Sequence, residues 1–224
     1  MRIFLICLFI IFSSACQADS GASHADIQDG LSSELFLRII KTSPDRPKGY
    51  LEAWRRSEDG TFALDRTFDI CTWSGALGPK LKEGDGQSPE GFYFVRPGAM
   101  NPNSSYHLSF NLGFPNAFDR AHGRTGSYLM VHGECASIGC YAMTNDGIDE
   151  IWDLMHNGFD GGQGLIRVHI FPFEMTKDNL AAYADNPNHA FWTNLKTGWD
   201  WFERERVPPN VTVTGKSYQF EALE

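Results

Sequence analysis

Short apolar runs, broken by turn-forming residues, fill most of the chain. Leu35–Ile40 (LFLRII) and Gly49–Trp54 (GYLEAW) read as strands joined by a proline-containing loop, Thr42–Lys48. Ser57–Gly60 (SEDG) ends in Asp-Gly, a hairpin signal, and Thr61–Cys71 continues as strand. Thr72–Gln87 is glycine-rich and reads as a loop beside a cleft. Gly91–Val95 (GFYFV), Tyr106–Phe110 (YHLSF), Ser127–Val131 (SYLMV) and Leu165–Phe171 (LIRVHIF) are further strands. Two long polar stretches, Pro97–Ser105 and Asn111–Gly126, read as loops between them, and long loops in compact domains tend to carry function.

The period changes at Thr144–His156. Ile148, Ile151, Trp152 and Met155 share one face at helical spacing, Thr144 or Asn145 can cap the start, and Gly158 is the expected stop. Beyond residue 175 the pattern turns helical again. Thr176–Ala184 and His189–Arg206 read as helices interrupted at Asn186-Pro187, Pro208-Pro209 stops the second, and Val211–Phe220 is an expected edge strand. The fold class is therefore mainly β with a few helices. Residues 31–175 are expected to form a single domain, and 176–224 a helical extension packed on it.

Composition narrows the setting. A chain of 224 residues, 42% of them hydrophobic, can bury one good core. Its formal charge of −9 makes it a poor partner for nucleic acid or an anionic membrane surface. Residues 1–18 read as an export signal: Arg2, then the apolar Ile3–Phe12, which is too short to span a bilayer comfortably. Ser14-Ala15-Cys16 resembles the end of a bacterial lipobox, with Ser13 where an aliphatic residue is usual; lipidation of Cys16 is preferred over cleavage after Ala15 or Ala18. Residues 19–30 are a polar tether. The mature protein is expected in the periplasm or cell envelope, attached to the membrane if Cys16 is lipidated.

The densest chemistry lies in Val131–Met143, VHGECASIGCYAM. It starts where a strand ends and feeds a helix. A cysteine there becomes a nucleophile if a base takes its proton, and His132 is the nearby base for Cys140. Gly139 lets the backbone come close to a substrate, and the N–H groups of Gly139, Cys140 and Tyr141 form a possible oxyanion site. Ser137 either orients His132 or caps the turn. After export three cysteines remain, Cys71, Cys135 and Cys140. The default is three reduced thiols; the pairing that spares a nucleophile is Cys71 with Cys135. A zinc module built on His132, Cys135 and Cys140 matches no common ligand spacing, so no metal and no cofactor are expected. An exported binding module with an inert Cys140 is the remaining non-enzymatic reading.

The segment resembles the catalytic signature of the L,D-transpeptidase (YkuD-like) family: His-Gly, a spacer, then Ser/Thr-x-Gly-Cys, here His132, Gly133, Ser137, Gly139 and Cys140. The short spacer and the Cys-Tyr-Ala ending resemble the YafK-type murein subgroup. Leu77–Val95 and Asn101–Gly126 match as well, so the likeness runs from about Leu35 to Thr176. The Arg that many members carry two places after the cysteine is Ala142 here. The resemblance implies a β-rich sandwich or barrel and a Cys140 thioester formed on a peptidoglycan stem peptide. Transfer to an amine then gives a cross-link; the alternative is hydrolysis that releases a peptidoglycan-linked lipoprotein. Tyr106, Asn116, Asp119, Arg120 and Arg167 are candidate substrate contacts.

Overall fold

The structure, a computed structural model, describes residues 31–223. The expected export signal and tether, and Cys16, lie outside these residues. The first strands are β1 (Leu31–Ile40), β2 (Tyr50–Ser57), β3 (Phe62–Asp69), β4 (Thr72–Trp73) and β5 (Gly91–Val95). Next come β6 (Met100–Ser104), β7 (His107–Asn111), α1 (Ala117–Ala121), β8 (Met130–His132), β9 (Tyr141–Ala142) and α2 (Asn145–Asp160). The chain closes with β10 (Ile166–Phe171), α3 (Lys177–Ala181), α4 (His189–Glu205) and a hairpin of β11 (Asn210–Thr214) and β12 (Ser217–Glu221).

β1 is the centre of a five-stranded mixed sheet ordered β3-β2-β1-β10-β5, in which β1 and β10 run parallel. Both faces of β1 are covered, which explains its nearly continuous apolar run. Leu35, Leu37 and Ile39 point into one core with Val168, Val131, Tyr141 and the buried face of α2. The alternate positions face a second layer: Phe36 packs with Trp54 and Phe202, and Ile40 with Phe171, Trp192 and Trp199. Arg38 falls on that second face. Its charge is tolerable because Glu52, opposite it on β2, and Glu203 of α4 each stand 2.6 Å away, and the Trp199 ring lies 4.1 Å from the guanidinium.

The second five-stranded sheet is ordered β4-β9-β8-β7-β6 and covers the first core from the other side. The result is a β-rich sandwich carrying a few helices; the pattern predicted the mainly β class, and the sandwich is one of the two architectures that the resemblance implied. Residues 176 onward supply the second layer, with α4 and the β11–β12 hairpin against the outer face of the first sheet.

Several boundaries differ from the sequence reading, each for a physical reason. Residues 100–104 form β6 on the sheet edge, where pairing with β7 overrides their polar composition. The long loop holds α1, started by a capping box in which the Asn116 side chain accepts from the Asp119 N–H and Asp119 accepts from the Asn116 N–H. β8 starts only at Met130, because Tyr128 lies in the left-handed region at φ 54°. Thr144 caps α2, and the helix runs through Gly158 to Asp160. Gly158 is buried against β1, where a Cβ would meet the Ser33 carbonyl at 3.2 Å, so it is a packing glycine and not a stop. Leu154 joins the buried face, while Trp152 is half-buried. The expected single edge strand at the C-terminus is a two-stranded hairpin.

A buried ion pair joins the sheet to the loops that precede β5. Lys41, just past β1, and Glu90, just before β5, are 3.0 Å apart, and both side chains are fully shielded. Lys41 also donates to the carbonyls of Ala76 (3.0 Å) and Ser88 (3.1 Å), while Glu90 accepts from the Gly78 N–H and the Trp192 Nε1–H. Burial pushes the Lys41 ammonium down, and the Glu90 carboxylate holds it up. Removing one member of such a pair strands the other. Glu90→Ala should therefore cost about 3–5 kcal/mol in urea unfolding. A loss below about 1 kcal/mol would mean that the two carbonyls alone satisfy Lys41.

Candidate active site

The short parallel pairing of β8 with β9 builds the site. Val131 lies opposite Tyr141 and His132 opposite Ala142. Val131 and Tyr141 point into the core, so His132 points to the other face. Cys140, one residue before Tyr141, comes out beside Met130, whose N–H donates to Cys140 Sγ at 3.4 Å. The imidazole and the thiol thus leave the same face, two rungs apart on adjacent strands, which ordinary strand spacing makes roughly 8 Å between Cα atoms.

Parallel neighbours usually need a connection of a dozen or more residues. Here Gly133–Cys140 suffices, because β8 and β9 are so short that the chain has little distance to recover. The loop turns through left-handed residues at Glu134 (φ 64°), Cys135 (φ 48°) and Gly139 (φ 102°). Gly133 has no room for a side chain: a Cβ would meet Asn145 Oδ1 at 2.7 Å and His107 Cβ at 3.1 Å.

Four hydroxyl contacts hold the Cys140 turn. Ser137 Oγ accepts from the Cys140 N–H (3.0 Å) and donates to the Cys140 carbonyl (2.7 Å). Ser88 Oγ donates to the same carbonyl at 2.8 Å, and Ser74 Oγ accepts from the Gly139 N–H at 2.5 Å. Ser137 therefore caps the turn, the second of its two expected roles. The N–H groups of Gly139 and Cys140 are engaged, so an oxyanion can use them only if these hydroxyls give way. Ser74 and Ser88 were not singled out from the sequence. Each is an ordinary serine in a glycine-rich loop, and only the fold brings it to the thiol.

One hydrogen bond fixes the state of His132. Its Nδ1 lies 2.6 Å from the Gly133 carbonyl oxygen. A carbonyl can only accept, so Nδ1 carries the hydrogen and Nε2 keeps a lone pair. Burial holds the imidazole below its usual range, against the opposing pull of the Gly133 carbonyl and the Glu134 charge. Burial also pushes the Cys140 thiol up, against the Met130 N–H and the Lys80 ammonium, which pull it down. Near neutrality the resting pair is a neutral thiol beside a neutral imidazole. The cysteine is thus not ionised in advance; a base must act during attack.

Cys71 and Cys135 form a disulfide, overturning the default of three reduced thiols, and Cys140 is free. The bond ties the end of the β3 region to the His132–Cys140 loop across 64 residues, a closure of about 4 kcal/mol by chain entropy. It also removes Cys135 as a thiolate donor, so the zinc module fails on its own ligands.

The other candidates separate. Tyr106 is about half exposed, with its ring centroid 4.8 Å from that of His132, at the mouth of the site. Asn116 and Asp119 are consumed by structure instead. The Asn116 amide donates to the Phe92 carbonyl and the Tyr218 hydroxyl, and buried Asp119 accepts from Tyr93 and Arg124. Arg120 turns back to the Pro115 carbonyl. Arg167 lies opposite Phe94 on the outer face of the first sheet, away from the thiol, which corrects its place among the candidate contacts for a substrate at Cys140.

Residues 48–170 match YkuD, the L,D-transpeptidase catalytic domain. The chain belongs to the L,D-transpeptidase family. It is 49% identical over 191 residues to a protein of Escherichia coli (strain K12) named "Putative L,D-transpeptidase YafK", covering 85% of this chain and 75% of that one. Among solved structures, the helical cell shape determining protein Pgp2 from Campylobacter jejuni aligns at a TM-score of 0.47 and 19% identity, over 86% of this chain and 79% of that one. Bdellovibrio bacteriovorus Bd1075 aligns at 0.42 and 18% identity, over 77% of this chain and 58% of that one. In this chain the His-Gly and Ser-x-Gly-Cys residues lie at the end of β8 and in the β8–β9 loop described above.

Two outcomes test the resting state. Alkylation without reductant should label Cys140 and leave Cys71 and Cys135 unlabelled, read by peptide mass. The rate of Cys140 alkylation by iodoacetamide should keep climbing through pH 9, because the thiol is raised; a plateau already reached near pH 6 would show a preformed thiolate–imidazolium pair.

Proposed function

We propose that this L,D-transpeptidase acylates Cys140 with a peptidoglycan stem peptide and passes the acyl group to an amine, forming a cell-wall cross-link. The observation that carries this is the His132 tautomer. With Nδ1–H tied to the Gly133 carbonyl, the Nε2 lone pair is left as the base for a thiol on the same sheet face.

The steps balance as follows. Nε2 takes the Cys140 proton as sulfur bonds to the carbonyl carbon of the donor amide. The carbonyl electrons move to oxygen, and as they return the C–N bond breaks; the imidazolium gives its proton to the leaving amine. A thioester remains. The acceptor amine then attacks, His132 takes its proton, the C–S bond breaks, and sulfur recovers the proton. Water in place of the amine gives hydrolysis through the same intermediate, including release of a peptidoglycan-linked lipoprotein. The half-exposed Tyr106 ring, 4.8 Å from the imidazole between centroids, is a wall for the substrate. Family membership supports the wall peptide as substrate, and the disulfide supports an oxidising compartment outside the cytoplasm, in keeping with the export segment.

The test incubates the mature protein with tetrapeptide muropeptides and with lipoprotein-linked muropeptides, and weighs the products. Cross-linked dimers are expected; free lipoprotein without dimers would replace transfer by hydrolysis. Cys140→Ala should abolish either reaction, and His132→Gln should lower kcat by about 10²–10⁴. Full activity in Cys140→Ala would overturn the assignment of the nucleophile.

A further inference from the structure

A cavity of about 200 Å³ opens on the outer face of the first sheet, between β5, β10 and the β11–β12 hairpin. That is far above the roughly 10–15 Å³ that admits one water, so it has room for a small organic molecule. The Cys140 site lies beyond the first core and the second sheet.

Three of its lining groups lack partners. Arg167 is half-buried and makes no ion pair or side-chain hydrogen bond among the described residues. The acid that acts on it, Glu34, has its carboxylate 3.0 Å from Arg56 instead. Arg96, also in the lining, has no acidic partner among the described residues and lies over the exposed Phe94 ring at 5.3 Å. Phe94 and Arg167 are opposite each other, so Arg96 is Arg167's diagonal neighbour on the same face. His169 is 1% exposed, caged by Phe36 and Phe92, and makes no side-chain hydrogen bond among the described residues. His169 lines the cavity as well.

This grouping is costly as it stands. Desolvation of the half-buried Arg167 is unfavourable, and the Glu34 charge offsets it only in part. The chain as a whole is acidic, at −9, yet none of the described residues that line the cavity carries a carboxylate. Burial and the Arg167 and Arg38 charges keep His169 neutral, so it offers a ring N–H donor and not a third cation. Around these donors the walls are apolar: Phe92, Leu165, Val211 and Val213. Cations and a donor at one place with an apolar wall beside them fit a carboxylate attached to a short hydrocarbon group.

We propose that this cavity is a second, non-catalytic site for a small organic carboxylate, with the carboxylate held by Arg167 and Arg96 and the apolar part against Leu165, Val211 and Val213. The end of a peptide and a free organic acid share this chemistry. Because the cavity is remote from the thiol, it stands or falls apart from the acyl-transfer reading.

The test is an NMR titration of the full mature protein with N-acetylalanine, with its uncharged amide, with inorganic phosphate and with an N-acetylated tripeptide that ends in a free C-terminal alanine. N-acetylalanine should shift resonances around Arg167 and His169 with a millimolar or tighter Kd, and the amide should not. Arg167→Gln should weaken binding at least tenfold and Arg96→Gln severalfold, while Cys140→Ala should bind normally. Arg96 is exposed, so its variant remains informative if the Arg167 variant folds poorly. Tighter binding of the tripeptide would identify a peptide end, and tighter binding of N-acetylalanine a free acid; either supports the site. Equal binding of the amide, phosphate binding as tight as the carboxylate, no shift at 10 mM, or unchanged affinity in both arginine variants would overturn it.

Discussion

The site depends on two rungs of parallel pairing. Because Val131 opposes Tyr141 and His132 opposes Ala142, a histidine and a cysteine eight positions apart leave one face of one sheet. A slip of one residue on either strand would send one of them into the core, since the side-chain period of a strand is two. Tyr141 and Val131 guard against that slip. Both are fully buried, and the Tyr141 hydroxyl donates to the Pro89 carbonyl at 2.7 Å.

So short a pairing is weak by itself, and the rest of the chain braces it. The Cys71–Cys135 bond fixes the middle of the loop. The Thr144 cap and the Asn145 side chain, which accepts from the Glu134 N–H, fix where the helix takes over. The third brace comes from furthest away. Lys41 grips the Ser88 carbonyl, and the Ser88 hydroxyl holds the carbonyl of Cys140. A buried ion pair at the end of β1 is thus connected to the Cys140 backbone through one serine. Buried ion pairs contribute modestly to net stability, but they fix geometry, because neither partner has anywhere else to go.

The electrostatics follow from the same burial. A thiol and an imidazole pressed against a core both favour their neutral forms, and nearby dipoles moderate that without reversing it. The arrangement suits a base that acts when substrate arrives better than a permanently charged nucleophile, which water or oxidants would find first.

Local information settled much of this. The apolar runs gave β1, β2, β5 and β10, the 3.6-residue period gave α2, and the density of His132, Gly133, Ser137, Gly139 and Cys140 pointed to the loop proposed as the site. These signals survive in the sequence because each depends on neighbours a few positions away. Polar segments were harder: β6 and α1 are held by a sheet edge and a capping box, which composition alone describes as loop. What no local pattern held was decided by the fold. Ser74, Ser88 and Lys41 meet the cysteine turn only after two sheets have packed, Cys71 finds Cys135 across 64 residues, and Arg167 lands on the outer face because β10 pairs with β1 in a register that sends Val168 inward. Side-chain direction in a strand is set by register, and register is set by partners far away in the chain.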